Sequence, residues 1–483
     1  MFTQHFYIKR LLLLVPAFVI LSCTKLVEIP EPTDTVTTAK IFNNDSQAKG
    51  AMVSVYSIMI NGISGYTGFG CGLTTMMTGL SADELENPGG SYSTFNKNML
   101  DARDGTVSTM WNTAYRAIYG ANAVVEGIEA SQAPTLHAQV KAELTAEAKF
   151  ARAFCYFYLV NLYGDVPLAL TTDFNKLVTM NRTPKSEVYK QMVKDLEDAV
   201  NGLPGDYTAG AGERIRPNKW VAKSLLARVY LFLEEYDKAA AQANDVIAQT
   251  ALYQLETTDL NRVFLKNSGE AIWQLAQSPD DFHRGNSTPE GFTFLPNPID
   301  SGSVSFTISK SLLNAFEPGD LRLSNWIGTS FNKPASVTTQ LWFPYKYKTG
   351  RHNMAIGAPA TEYYMVFRLA EQYLIRAEAR VQLGQTSLAI TDLNALRNRA
   401  GLESISTGLS KEQAVIAVAK ERQTELFTEW GHRWFDLKRT GKASGVLSAI
   451  PIKQPWKGDY QLLYPIPADE IVRDHFLVQN PNY

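Results

Sequence analysis

Between Leu144 and Leu162, apolar or small side chains recur at alternating steps of four and three: Leu144, Ala148, Ala151, Cys155, Tyr158 and Leu162. An α-helix completes a turn every 3.6 residues, so this spacing draws all six into one stripe. Such a stripe must be covered, and residues 107–129 offer Trp111, Tyr115, Ile118, Val125 and Ile128 as a facing side. The two segments predict a helical hairpin, with Cys155 as a small buried hydrophobe and Trp111 in the core.

The pattern returns. Residues 186–202 and 217–234 form a second pair, with Pro184 and Pro217 near helix starts, Gly202 and Pro204 stopping the first member, and Trp220 on a helical stripe. Beyond it, Tyr236 stands at a turn and Ala239, Ala240, Ala243 and Ile247 follow as a small-residue face, so 186–250 resembles a tetratricopeptide repeat. In 364–400, Leu369, Tyr373, Ala377 and Val381 step by four, Gly384 ends the helix, and Ala389, Leu393 and Leu396 begin its partner. Pairs of this kind bury their faces only by stacking on neighbours. The expected fold is mostly α, a tetratricopeptide-like helical repeat scaffold with long irregular loops and a few short strands.

Two stretches interrupt the periodicity. Residues 61–100 hold five glycines between Gly62 and Gly72, then Pro88, Gly89 and Gly90, and residues 278–360 hold eight of the 22 prolines and short alternating pieces such as Val304–Ile308. They predict long loops with small strands, and loops of that size in a compact domain are usually functional. Trp273 in Ala271–Leu275 and Trp342 beside Phe343 lie in strand-like runs and are expected in the core.

At the start of the chain, Lys9 and Arg10 precede an apolar run from Leu11 to Leu21, followed by Ser22 and Cys23. As a helix that run rises only about 16 Å against roughly 30 Å of hydrocarbon, which predicts a signal peptide (1–22) and not a membrane span. Ile20-Leu21-Ser22-Cys23 resembles a bacterial lipobox, with Cys23 the acylated thiol. Residues 23–40, with Pro30 and Pro32, then read as a lipidated tether, and 41–483 as one body joined to the membrane through lipid alone.

Chemistry-bearing constellations are scarce. With 46 Lys and Arg against 48 Asp and Glu, the chain has no basic excess for nucleic acid. The six histidines are scattered without ligand spacing, and no nucleophile elbow, P-loop or dinucleotide fingerprint occurs, so no metal, cofactor or catalytic residue is expected. Asp83, Glu84 and Glu86 could imitate a glycosidase carboxylate pair, but on a Pro/Gly loop they are expected to be solvated. Glu421, Arg422, Glu425, Glu429, Arg433, Asp436 and Arg439 step by three and four, which predicts an ion-pair network along one helix face, pinned by Trp430, Trp434 and Phe435.

Aromatic residues in the two irregular stretches are the binding candidates. Sugar rings present C–H patches to a π-face while their hydroxyls seek amide, carboxylate or guanidinium partners. Tyr92, Phe95, Asn96 and Asn98 have that composition in the first stretch, and Phe282, Arg284, Asn286, Phe292 and Phe294 in the second.

Four segments carry a family resemblance: Glu147–Phe154 through Tyr163-Gly164-Asp165-Val166-Pro167-Leu168; Phe367–Ala379; Glu421-Arg422 and Glu425-Leu426 through Arg433–Arg439; and Leu463-Tyr464-Pro465-Ile466-Pro467 with the closing Gln479–Tyr483. In order and spacing they resemble the SusD/RagB outer-membrane lipoproteins of Bacteroidetes. The resemblance implies four tetratricopeptide-like helix pairs, no catalysis, and a surface-exposed subunit that binds oligosaccharide and sits on a TonB-dependent (SusC-like) transporter. It carries over only the approximate binding regions, 61–100 and 278–360. A peptide ligand, a surface glycoside hydrolase and a ligand-free scaffold are the alternatives.

Overall fold

The computed structural model describes residues 41–62, 67–332 and 339–483. The signal segment, the tether and Cys23 lie outside the described residues. Helix α1 (Asp45–Asn61) begins at Asn44, whose side chain accepts from the Gln47 amide at 3.0 Å. There follow α2 (Thr74–Ser81), α3 (Gly105–Ala130), α4 (Ala138–Tyr163), α5 (Lys185–Gly202), α6 (Lys219–Phe232) and α7 (Tyr236–Ile247). Later come the short α8 (Pro289–Phe294), then α9 (Leu369–Gln382), α10 (Thr386–Arg399), α11 (Lys411–Glu425) and α12 (His432–Arg439). Helix α3 packs on α1, from α4 through α7 each helix lies against its predecessor, α7 packs on α9, and α10 and α11 close the end. This is the tetratricopeptide-like, mostly α fold the periodicity implies.

The expected stripe on α4 is wider in the structure, because every residue from Phe150 to Tyr163 is buried. Three neighbours enclose it: α3, α5, and an aromatic cluster from the irregular half, in which Phe154 has its ring centre 5.3 Å from Trp273 and 5.4 Å from Trp430. Arg152 is buried within this run and ties three helices, donating to both Asp195 oxygens of α5 at 2.8 and 2.7 Å and to Asn122 Oδ1 of α3 at 2.8 Å. Trp111, Cys155 and Trp273 are core residues as expected. Trp220 and Trp342 are only half-buried, the former at the first turn of α6 with its indole N–H on the Gly205 carbonyl and the latter on a hairpin.

The described strands are short: β1 (Leu85–Glu86), β2 (Ala271–Leu275), β3 (Thr307–Ile308), β4 (Ile327–Asn332), β5 (Thr339–Pro344) and β6 (Tyr364–Arg368). They pair antiparallel as β1–β3, β2–β6 and β4–β5. The first pairing fastens the two irregular stretches together, with Leu85 opposite Ile308. Neither stretch is all loop: 61–100 contains α2, whose eight residues are all buried, and 278–360 contains α8 and the β4–β5 hairpin.

The charged run is not one helix. Between α11 and α12, Thr428 (φ 49°), Trp430 (φ 46°) and Gly431 (φ 78°) adopt left-handed backbone. This turn drives Trp430 into the core, where its amide donates to Thr75 Oγ1 at 2.9 Å and its indole N–H to the Met365 carbonyl at 2.7 Å. Gly431 is required there: a Cβ would lie 2.6 Å from Thr78 Oγ1. The ion-pair network is real, but many of its cations come from elsewhere in the chain, including Arg322, Arg368 of β6 and Arg399 of α10, all converging on Glu425.

Candidate ligand-binding site

The β1–β3 pairing brings the two irregular stretches together at a cleft of about 620 Å³. Asn87, just past β1, organises the first wall: its Nδ2 donates to the Ser305 carbonyl at 2.7 Å and its Oδ1 accepts from the Tyr92 amide at 3.1 Å. Tyr92 is thereby laid on Phe306, ring centres 5.7 Å apart and planes 25° from parallel. Phe292 lines the cleft from α8, which Thr288 caps by accepting from the Gly291 amide at 3.0 Å. Segment 349–351 runs so close to this helix that a Cβ on Gly291 would lie 2.2 Å from the Thr349 carbonyl oxygen. That approach sets the Arg351 guanidinium 4.5 Å over the Phe292 ring, with Nε donating to the Phe292 carbonyl at 3.0 Å.

Arg284 forms the inner end and joins the two stretches. Its Nη2 reaches Asp281 Oδ2 and Asn61 Oδ1, each at 2.8 Å, and its Nη1 reaches Cys71 Sγ at 3.1 Å. Burial pushes the Cys71 thiol up to about 11, so it remains protonated at neutral pH. Asn87, Ser91, Thr293, Ser303 and Ser305 supply polar groups, and no Asp or Glu is among the lining residues.

Of the sequence candidates, Tyr92, Arg284 and Phe292 line this cleft. Phe95 is fully buried against Tyr464, ring centres 5.5 Å apart, and Phe294 is buried against Phe306 at 5.7 Å. Both present their rings to protein, not to a ligand. Asn96 and Asn98 are buried around Lys453, whose ammonium donates to the Asn96 carbonyl at 3.0 Å and Asn98 Oδ1 at 2.7 Å. Asn286 is buried and braces a loop, its Oδ1 accepting from the Ala355 amide at 2.9 Å. Phe282 is 79% exposed but lies outside the cleft lining, beside the His283 ring. Sequence reading missed Phe306, Asn87 and Arg351 as site residues: Phe306 sits in the alternating piece Val304–Ile308, but nothing local distinguishes Arg351.

Nor are the suspected carboxylates solvated together. Burial opposes ionisation of Asp83, yet the Arg433 guanidinium at 2.7 Å holds its carboxyl below the usual range. Glu84 is buried beside it and pushed up to about 8, first by desolvation and then by the Asp83 charge. Neither lines the cleft. Among the described residues no group of three or more His, Cys, Asp and Glu side chains is placed to hold a metal ion.

A stack of tetratricopeptide-like helices carrying an aromatic-walled cleft on two inserted segments is the class of protein defined so far. The family model described as "SusD family" matches residues 314–483, and one described as "Starch-binding associating with outer membrane" matches residues 77–231. SusD-like protein P2 of Formosa agariphila is 26% identical over 96% of this chain and 97% of its own length. A SusD superfamily protein of Bacteroides vulgatus superposes with a TM-score of 0.78 at 20% identity, covering 92% of this chain and all of the other (100%). A structure titled a laminarin binding SusD-like protein gives 0.73 at 24% identity, with 92% and 100% coverage. This chain belongs to the SusD/RagB family. Among the described residues no helix is long and apolar enough to cross a membrane.

Proposed function

We propose that the protein is a lipid-anchored, surface-exposed glycan-binding subunit of the outer membrane that captures oligosaccharide in this cleft and delivers it to a TonB-dependent transporter. The observation that carries the binding half is the cleft itself, where Tyr92, backed by the buried Phe306, and Phe292 offer π-faces beside amide and hydroxyl groups. That pairing of apolar face and polar edge is what a sugar ring requires. The family description and the laminarin-binding relative support the same ligand class.

Tyr92→Ala and Phe292→Ala are each expected to weaken glycan binding by about 3- to 10-fold, the order of one aromatic contact. Phe95→Ala, in contrast, is expected to lower stability by roughly 3–5 kcal/mol because it empties a core position. Isothermal titration of the mature body against a glycan found by array screening, alongside urea denaturation, separates the two. Unchanged affinity in both cleft variants would place the site elsewhere.

Delivery to a pore calls for a standing contact. Tyr119, Phe174 and Val178 line a groove of about 530 Å³ whose other wall comes from 470–477, and Phe174 is 72% exposed. Val472, Phe476 and Val478 on or beside that wall are exposed as well. Contiguous apolar surface of this kind is typical of interaction faces. Mild detergent extraction and affinity purification through this chain is expected to recover a barrel transporter, and Phe174→Asp with Val178→Asp to deplete it. Cys23→Ser is expected to shift the protein into the soluble fraction. Recovery of the chain alone from membranes rich in barrels would remove the delivery half of the proposal.

A further inference from the structure

We infer that the oligosaccharide taken by this cleft is acidic, carrying a carboxylate or sulfate group that the Arg351 guanidinium binds beside the sugar face held by Phe292. The inference rests on the glycan-binding reading above and narrows its ligand class. The basic side chains among the lining residues are Arg284, Arg351 and His283, and no Asp or Glu lines the cleft. Arg284 already has Asp281, Asn61 and Cys71 as partners. Arg351 is different. Among the described residues it makes no ion pair; its Nε donates to the Phe292 carbonyl at 3.0 Å and its guanidinium stacks 4.5 Å over that residue's ring.

Those two contacts orient the guanidinium plane without engaging its Nη groups. A guanidinium fixed in this way keeps a two-pronged donor edge, which matches the paired oxygens of a carboxylate or sulfate. Because the same aromatic residue holds the arginine and faces the cleft, an anionic substituent and its own sugar ring can be met by adjacent groups. Asp281 is paired to the lining residue Arg284 at 2.8 Å, so its charge is engaged there and not on Arg351. Glu290, next to the lining residue Pro289, is buried and donated to by the Tyr364 hydroxyl at 3.0 Å.

The test uses the mature chain and matched pairs of ligands: oligogalacturonate against its methyl ester, and a sulfated galactan oligosaccharide against its desulfated form, within a broad array of neutral and acidic glycans. At least one charged member is expected to bind at least 10-fold tighter than its neutral counterpart, and which pair responds tells carboxylate from sulfate. Arg351→Gln is expected to weaken that binding by about 10- to 100-fold, the range of a charge-assisted hydrogen-bonded contact. It is also expected to flatten the salt dependence that the wild-type chain shows. Arg351→Lys should recover the salt dependence but only part of the affinity. Arg351 is exposed, so thermal unfolding should be unaltered and a folding defect is excluded by that measurement. If neutral glycans bind as tightly as charged ones and Arg351→Gln leaves affinity unchanged, the acidic class is wrong and the glycan-binding proposal stands. If no glycan of either kind binds, that proposal falls and this inference with it.

Discussion

Glu425→Ala is expected to cost about 3–5 kcal/mol of stability, the range for removing one member of a buried ion pair. Its carboxylate accepts from Arg399 at 2.5 Å and Arg322 at 2.9 Å and is also paired with Arg368. All four side chains are essentially inaccessible. Burial alone would raise the Glu425 carboxyl, but the three guanidinium groups hold it well below the carboxylate range. Deleting it leaves three buried cations short of a counter-charge, although Glu270, Glu421, Glu429 and Asp320 still hold part of them. The network joins α10 and α11 to β6 and to the segment before the β4–β5 hairpin, so the loss should appear as a single large fall in the urea midpoint. A loss under about 1 kcal/mol would show that the remaining acids suffice.

The second large effect is on pH dependence. Glu84 and Glu290 are both pushed up to about 8, Glu84 by desolvation and the neighbouring Asp83, Glu290 chiefly by desolvation. Between the ordinary glutamate range and about 8 the folded chain therefore keeps two protons that the unfolded chain releases. The unfolded state binds fewer protons there, so stability falls as pH rises from about 5 to 8. At about 1.4 kcal/mol for each tenfold change in proton affinity, each group contributes several kcal/mol. Lys453, lowered to about 7 by desolvation, works in the opposite direction above that pH, because the unfolded chain then holds the extra proton. The clean readout is thus a comparison: a Glu84→Gln, Glu290→Gln chain should be less pH-sensitive than wild type and more stable at pH 8. Parallel stability curves from pH 5 to 8 would show that these carboxyls ionise normally.

How much of this was legible before folding differs by element. The stripe of α4 and its partner in α3 could be read directly, since helical period is a local property that neighbours reinforce. Helix α2 could not. Its sequence, Thr74-Thr75-Met76-Met77-Thr78-Gly79-Leu80-Ser81, is poor in helix formers, and the Thr78 hydroxyl bonds back to the Thr74 carbonyl. Burial of all eight residues, not propensity, holds it. The left-handed break before α12 was likewise hidden, because the charge spacing runs through it unchanged and only the pull of Trp430 into the core demands the turn.

The two stretches that build the cleft were visible from their glycines, prolines and aromatic residues, but which ring lines the cleft was not. Tyr92 caps the single helical turn Ser93–Asn96 and Phe95 lies within it, yet one lines the cleft and the other is sealed against Tyr464. Their fates depend on Asn87 reaching the Ser305 carbonyl, 218 positions away in the chain, and on the C-terminal segment that covers Phe95. Arg351 acquires its place over Phe292 in the same way, through the close pass of 349–351 along α8. The sequence by itself determined the helical scaffold, because a repeating apolar period has one low-energy way to be buried. Only the tertiary structure decided the site, because in irregular backbone the direction of each side chain is set by partners distant in the chain.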